Sequence, residues 1–128
     1  MARIAYITNA GLSILANRLK GVGNEPVYFA WGTGAGNASP TSTQLFTEAS
    51  EARPVMVSQI VTVTAVGDGY QLTGAIVADA NKTITNWGVF DAASGGNLLI
   101  HESSNPGEAY TLGQIGAFLF RLQFIRGT

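Results

Sequence analysis

Cysteine is absent from this 128-residue chain, which removes disulfide staples, thiolate nucleophiles and zinc–thiolate sites together. Ionic side chains are scarce. Asp, Glu, Lys and Arg make up 12% of the residues, against ~25% in an ordinary soluble domain. The basic residues (Arg3, Arg18, Lys20, Arg53, Lys82, Arg121 and Arg126) are scattered and the net charge is −1, so there is no cluster to neutralise phosphates, and nucleic acid is not an expected partner. No stretch approaches the ~18 uninterrupted apolar residues of a membrane span, and the N-terminus lacks the apolar core of a secretion signal. The expectation is a chain that has no membrane partner and stays in the cytoplasm where it is made until it is assembled into something larger.

Reactive groups are equally thin. The single histidine, His101, stands beside Glu102, whereas nucleophilic catalysis needs a nucleophile, a base and an orienting group that converge. The carboxylate pairs Glu48/Glu51 and Asp68/Asp79 lie in or beside turns, without an apolar pocket to drive their pKa values apart. Gly32-Thr33-Gly34-Ala35-Gly36 lacks the Lys-Ser/Thr of a nucleoside-triphosphate loop, has the wrong spacing for a dinucleotide fingerprint, and runs into Asn-Ala-Ser-Pro instead of a helix. No stretch has the dense Asp/Asn alternation of a calcium loop. No catalytic, cofactor-binding or metal-ligating residue is therefore expected.

What is present is apolar and rich in turns: 46% hydrophobic residues and 16 glycines. A chain of this length is expected to form one domain over 1–128, burying roughly two-thirds of its unfolded surface. Thr8-Asn9 can cap a helix, Leu12, Leu15, Ala16 and Leu19 form a stripe at helical spacing, Arg18 and Lys20 suit its last turn, and Gly21 can close it. The spacing predicts one helix over about 10–20 with that stripe on the core. Val27 to Trp31 reads as a strand. From Pro54 the period becomes two: Val55 to Val63 alternates, Gly67-Asp68-Gly69 turns, and Tyr70 to Val77 returns. Thr83 to Phe90 and Leu98 to His101 are further strands, a break follows over Ser103 to Glu108, and Ala117 to Ile125 alternates with Phe118, Phe120, Leu122 and Phe124 on one side. Seven or so short strands with one early helix predict a mainly β protein, an antiparallel β-sandwich or barrel, jelly-roll-like, with no parallel βαβ unit. Between the first strand and Leu45-Phe46, the Gly/Asn/Ser/Pro/Thr stretch at about 32–44 is expected to be an extended arm, because loops of this length inside a small domain are usually functional or disordered.

Ile7-Thr8-Asn9-Ala10-Gly11-Leu12 before a helix, Trp31-Gly32-Thr33-Gly34 followed by Leu45, Glu48 and Arg53, and then Ile84-Thr85-Asn86-Trp87-Gly88-Val89-Phe90-Asp91 with Gly95-Gly96-Asn97-Leu98-Leu99 resemble, in that order, the virion-attachment domains of tail-collar and tail-fibre proteins of tailed bacteriophages. The resemblance implies a virion structural protein that is not an enzyme. Fibre proteins continue into a long shaft, whereas a short, sparsely charged β domain with a Gly/Ser/Thr arm is similar to the capsid decoration, or cement, proteins that bridge shell subunits. The first expectation is thus a decoration protein bound to the major capsid protein or another virion protein and forming a homo-oligomer, a homotrimer by that resemblance. A tail, collar or baseplate attachment protein is the alternative. Trp31, Gly32, Thr33, Gly34, Asn37, Pro40, Leu45, Phe46 and Arg53 are the residues expected to meet a partner. A carbohydrate-binding sandwich is the second alternative; it would need exposed rings, for which Trp31, Trp87, Tyr28, Tyr70 and Tyr110 are the candidates.

Overall fold

The period-two alternation after Pro54 does become a sheet. In the computed structural model, which describes residues 2–127, β3 (Val57–Val61) pairs antiparallel with β4 (Gly69–Val77), and β4 pairs antiparallel with β7 (Ile115–Gln123), in the order β3-β4-β7. A second antiparallel sheet holds β1 (Ala2–Ile7), β6 (Leu98–Tyr110), β5 (Lys82–Phe90) and β2 (Tyr28–Gly32), in that order. The two sheets face each other as a sandwich and do not close into a barrel. Phe118 of β7 sits between them, its ring 4.7 Å from that of Phe29, 6.1 Å from Trp31 and 6.0 Å from Trp87. Leu72, Ile76, Ile84, Val89, Leu99 and Phe120 complete this inner layer.

The helix α1 (Asn9–Lys20) starts and stops where its caps predict: the Thr8 side chain accepts the Gly11 N–H, and Gly21 takes φ 82°. Its inward face is not the one expected. Leu12 is 58% and Leu19 is 92% exposed, while Gly11 and Ile14 are buried and Leu15 packs on the core. The reason is Gly11. A Cβ there would run into the Leu99 carbonyl of β6, so this is where the helix comes closest to the sheet. That approach rotates positions 11, 14 and 15 inward and leaves the leucine stripe half outside.

Two other expectations are corrected. The break at Ser103 to Glu108 lies inside β6, which bulges against β5: Asn86 still pairs with Ser103, whereas Ile84 pairs with Glu108. The extra residues carry the turn chemistry, and the ladder resumes beyond them. Gly67 does turn the chain, with φ 71°, but β3 stops at Val61 instead of running to Val63, and the turn closes a longer loop over 62–68 wound around Asp68, whose carboxylate accepts the N–H groups of Val63, Thr64 and Ala65. The first strand, β1, carries no periodic signal of its own and exists through its pairing with β6 from Ala2↔Asn105 to Ile7↔Ile100.

Candidate functional site

The stretch expected to extend as an arm lies on the molecule itself. Residues 33–47 have no helix or regular strand, and they cover the outer face of the four-stranded sheet. At the base, Thr33 N–H donates to the Thr47 carbonyl (3.0 Å) and Gly34 N–H to the Phe46 carbonyl (2.9 Å). Asn86 of β5 grips Phe46 twice, its Oδ1 accepting the Phe46 N–H at 2.9 Å and its Nδ2 donating to the Phe46 carbonyl at 3.1 Å. Further out, Ala38 N–H donates to Ser103 Oγ (2.8 Å), Asn9 N–H donates to the Pro40 carbonyl (2.7 Å), and Thr85 Oγ1 donates to the Gly34 carbonyl. Leu45 enters a small outer core with Ala30, Phe90 and Leu98. Gly36 is required where it stands: its φ is 152°, and a Cβ would strike the Phe46 ring. A recess of about 480 Å³ opens among Gly34, Asn37, Ser39, Thr43 and Phe46.

His101 lies under this cover, 0% exposed, with its ring 4.9 Å from that of Phe46. Asn86 Oδ1 already accepts from Phe46, so His101 Nε2, 3.0 Å away, carries the hydrogen of the contact between them. Nδ1 has no partner. Burial therefore pushes the imidazole down from its ordinary 6.5 to about 4. This is a neutral, hydrogen-bonded histidine inside a fastening.

Arg53 is the second fastening. Its side chain is 6% exposed and lies over the Phe90 ring at 3.6 Å. Nε and Nη2 donate to the two oxygens of Glu48 (2.9 and 2.8 Å), while Nη1 donates to the carbonyls of Ala92 (2.9 Å) and Gly95 (2.8 Å). The Leu45, Glu48, Arg53 spacing thus ties the edge of β2 to the 91–97 turn. A third fastening joins Lys82 Nζ to Glu51 (2.6 Å) and Asp79 (2.8 Å). Burial pushes the Glu51 carboxyl up, but hydrogen bonds from Lys82, the Asp79 N–H and Trp31 outweigh it and hold it below the usual range.

Of the residues expected to meet a partner, Trp31 is 1% exposed and donates to Glu51 from Nε1, Gly32 and Leu45 are buried, and Arg53 is spent on internal bonds. Gly34 and Phe46 are half-buried. Thr33, Asn37 and Pro40 are exposed on the outer side of the cover. The rings considered for sugar stacking fare no better: Trp31 and Trp87 are both 1% exposed core residues, and Tyr28, Tyr70 and Tyr110 are half-buried. Among the described residues no three His, Asp or Glu side chains gather as metal ligands, and no helix is long and apolar enough to cross a membrane.

The surface missed by sequence reasoning is the outer face of the three-stranded sheet. Val57, Thr73 and Leu119 form one row across it, Ala75 and Ala117 the next, and Val77 and Ile115 the last. Val57, Val77, Ile115 and Leu119 are between 54% and 69% exposed. The one charged side chain on β7, Arg121, is held by Gln71 at 2.7 Å. The alternation of Ala117 to Ile125 contained this face, since its odd positions are Ala, Leu, Arg, Gln and Ile, but the phenylalanines opposite draw the eye.

No protein-family model matches this chain, and comparison with curated proteins and with solved structures returns no match.

Proposed function

We propose that this chain is a structural protein of a tailed-bacteriophage virion that works by contact and not by catalysis, with decoration of the capsid shell as its role. The observation that carries the reading is the outer face of the β3-β4-β7 sheet, where Val57, Val77, Ile115 and Leu119 stand in water beside Thr and Ala and no acidic residue. A row of this kind on a small domain marks a surface made to be covered. Sparse charge fits the same purpose, because a domain held in a shell has less need of repulsion to stay dispersed. Copies of the chain and the shell protein beneath them are the partners on this reading, and each contact of ordinary size would bury ~800 Å² per partner. The Thr33, Asn37 and Pro40 side of the cover offers a second, polar contact.

Attachment at the tail, collar or baseplate is the second reading. The later segments that carry the resemblance to attachment domains are joined to one another: the end of β2 pairs with β5, and Arg53 ties Glu48 of the cover's end to the 91–97 turn. Quantitative mass spectrometry of purified particles separates the two. Copies on the order of hundreds per particle place the chain on the shell, where a symmetric lattice repeats it; a few to a dozen place it on the tail; absence from particles refutes both.

A further inference from the structure

A β-sandwich has four strand edges, and three of them are protected here. The β2 edge is bonded by the chain that follows the cover, through Ala49 N–H to the Trp31 carbonyl, Phe29 N–H to the Pro54 carbonyl and Met56 N–H to the Val27 carbonyl. On β1, Arg3 carries a charge paired with Glu102 and Glu108. β3 is five residues long and follows Pro54, which keeps its edge short.

β7 is neither bonded along its edge nor short, and its one charge, Arg121, is turned back onto Gln71 of β4. It runs nine residues in unbroken register with β4. Phe124 N–H donates to the Asp68 carbonyl at one end and Ala78 N–H to the Gln114 carbonyl at the other. In an antiparallel ladder the paired residues alternate, so the even positions of β7 bond to β4 and the odd ones turn both backbone groups outward. Ile115, Ala117, Leu119, Arg121 and Gln123 thus present open N–H and C=O groups, and the side chains of the first four are exposed on the apolar outer face.

The geometry points to β7 as the edge on which a second copy of this chain docks, strand against antiparallel strand, about a two-fold axis through Leu119. With that centre all nine residues overlap: Ile115 faces Gln123, Ala117 faces Arg121, and Leu119 faces Leu119. The two arginines lie apart, each opposite an alanine. The recess below the edge, about 280 Å³ between β1 and β7, is lined by Tyr6, Glu102, Arg121 and Leu122; it holds one acid and one base, so it does not repel its own twin. The contact makes one six-stranded sheet and extends the apolar face across it. A three-fold arrangement cannot use this edge on both sides of each contact, because a head-to-tail ring needs two different surfaces. A strip of ~30 Å by ~10 Å gives ~300 Å² per copy, from a rise of ~3.3 Å per residue and a sheet thickness of ~10 Å. That is well short of the ~800 Å² per partner of a standing complex, so the dimer is a weak one that dissociates on dilution.

Sedimentation velocity over a range of concentration up to about 1 mM tests it, with weak association as the expected regime. The expected result is a monomer–dimer equilibrium; a chain that stays monomeric throughout, or that runs as a trimer, overturns the proposal. Leu119→Glu and Leu119→Lys each place like charges face to face and should weaken dimerisation by about tenfold or more, while an equimolar mixture of the two dimerises at least as well as the native chain. Circular dichroism checks that both variants fold. Leu119→Cys supplies the only thiol in the chain; directly opposed Cα atoms in a bonded pair stand ~5.5 Å apart, within disulfide reach. Oxidation should link it to itself far faster than Val66→Cys, which is 96% exposed on the loop before β4. Equal rates for the two cysteines, or a mixture of the charged variants that remains monomeric, overturn the two-fold pairing. None of these outcomes depends on where the chain sits in a virion.

Discussion

Replacing Arg53 by alanine removes a guanidinium whose side chain is 6% exposed and which makes four hydrogen bonds, two to Glu48 and one each to the carbonyls of Ala92 and Gly95. Leaving one member of a buried ion pair without its partner costs ~3–5 kcal/mol. That figure needs a discount here, because the Glu48 side chain is 34% exposed and can rehydrate, as can the Gly95 carbonyl. Uncovering Phe90, on which the guanidinium stacks at 3.6 Å, adds ~1 kcal/mol. The net expectation is a loss of about 3 kcal/mol, equivalent to a fall of roughly 10 °C in Tm for a domain of this size. Urea unfolding followed by tryptophan fluorescence measures it. Arg53→Lys keeps the charge but not the planar fork and should still lose about 2 kcal/mol, and hydrogen exchange should quicken at Ala92 to Asn97 in both. Were Arg53 only an exposed ion pair, alanine would cost less than ~1 kcal/mol. A measured loss that small refutes the view that this residue fastens the β2 edge to the 91–97 turn.

Asn86→Ala deletes both bonds to Phe46 and orphans the buried His101 Nε2, so a loss of ~2–3 kcal/mol is expected, with exchange at Gly34 and Phe46 rising before that of the inner sheets. For His101 the folded pKa of about 4 lies below the ordinary 6.5: the unfolded chain binds the proton first, so the contribution is whole above pH 6.5 and is lost as pH falls towards 4. That difference corresponds to ~3 kcal/mol at most, and His101→Gln should flatten that part of the stability profile measured by urea titration. Gly11→Ala drives a Cβ into the Leu99 carbonyl and should cost ~1–3 kcal/mol in thermal unfolding, whereas Leu19→Ala, at a 92% exposed site on the same helix, should stay within ~0.5 kcal/mol of the native chain. Trp31→Ala should cost ~3–5 kcal/mol; a variant that kept its stability and instead lost binding to a glycan array would restore the sugar-binding alternative.

Local chemistry determined most of the elements. Thr8 and Gly21 mark the helix ends because capping involves groups three or four residues apart, and the strands from Val57 to Val61, Gly69 to Val77 and Ile115 to Gln123 follow from alternation within each segment. The antiparallel sandwich follows too, since short strands without crossover helices have few other ways to bury one face. Tertiary structure decided what depends on residues far apart in the chain. Gly11 meets Leu99, and the helix turns a different side inward. Asn86 and Ser103 reach Phe46 and Ala38, and a stretch with every mark of a free arm becomes a cover. β1, and the part of β6 beyond the Leu98 to His101 stretch that reads as a strand, are set by pairing with distant segments, β1 with β6 and β6 with both β1 and β5. Whether a strand edge is bonded or open is likewise a property of its neighbours: β2 is closed by chain that comes 16 residues or more after it, and β7 is left open because none of the described residues returns to its far side.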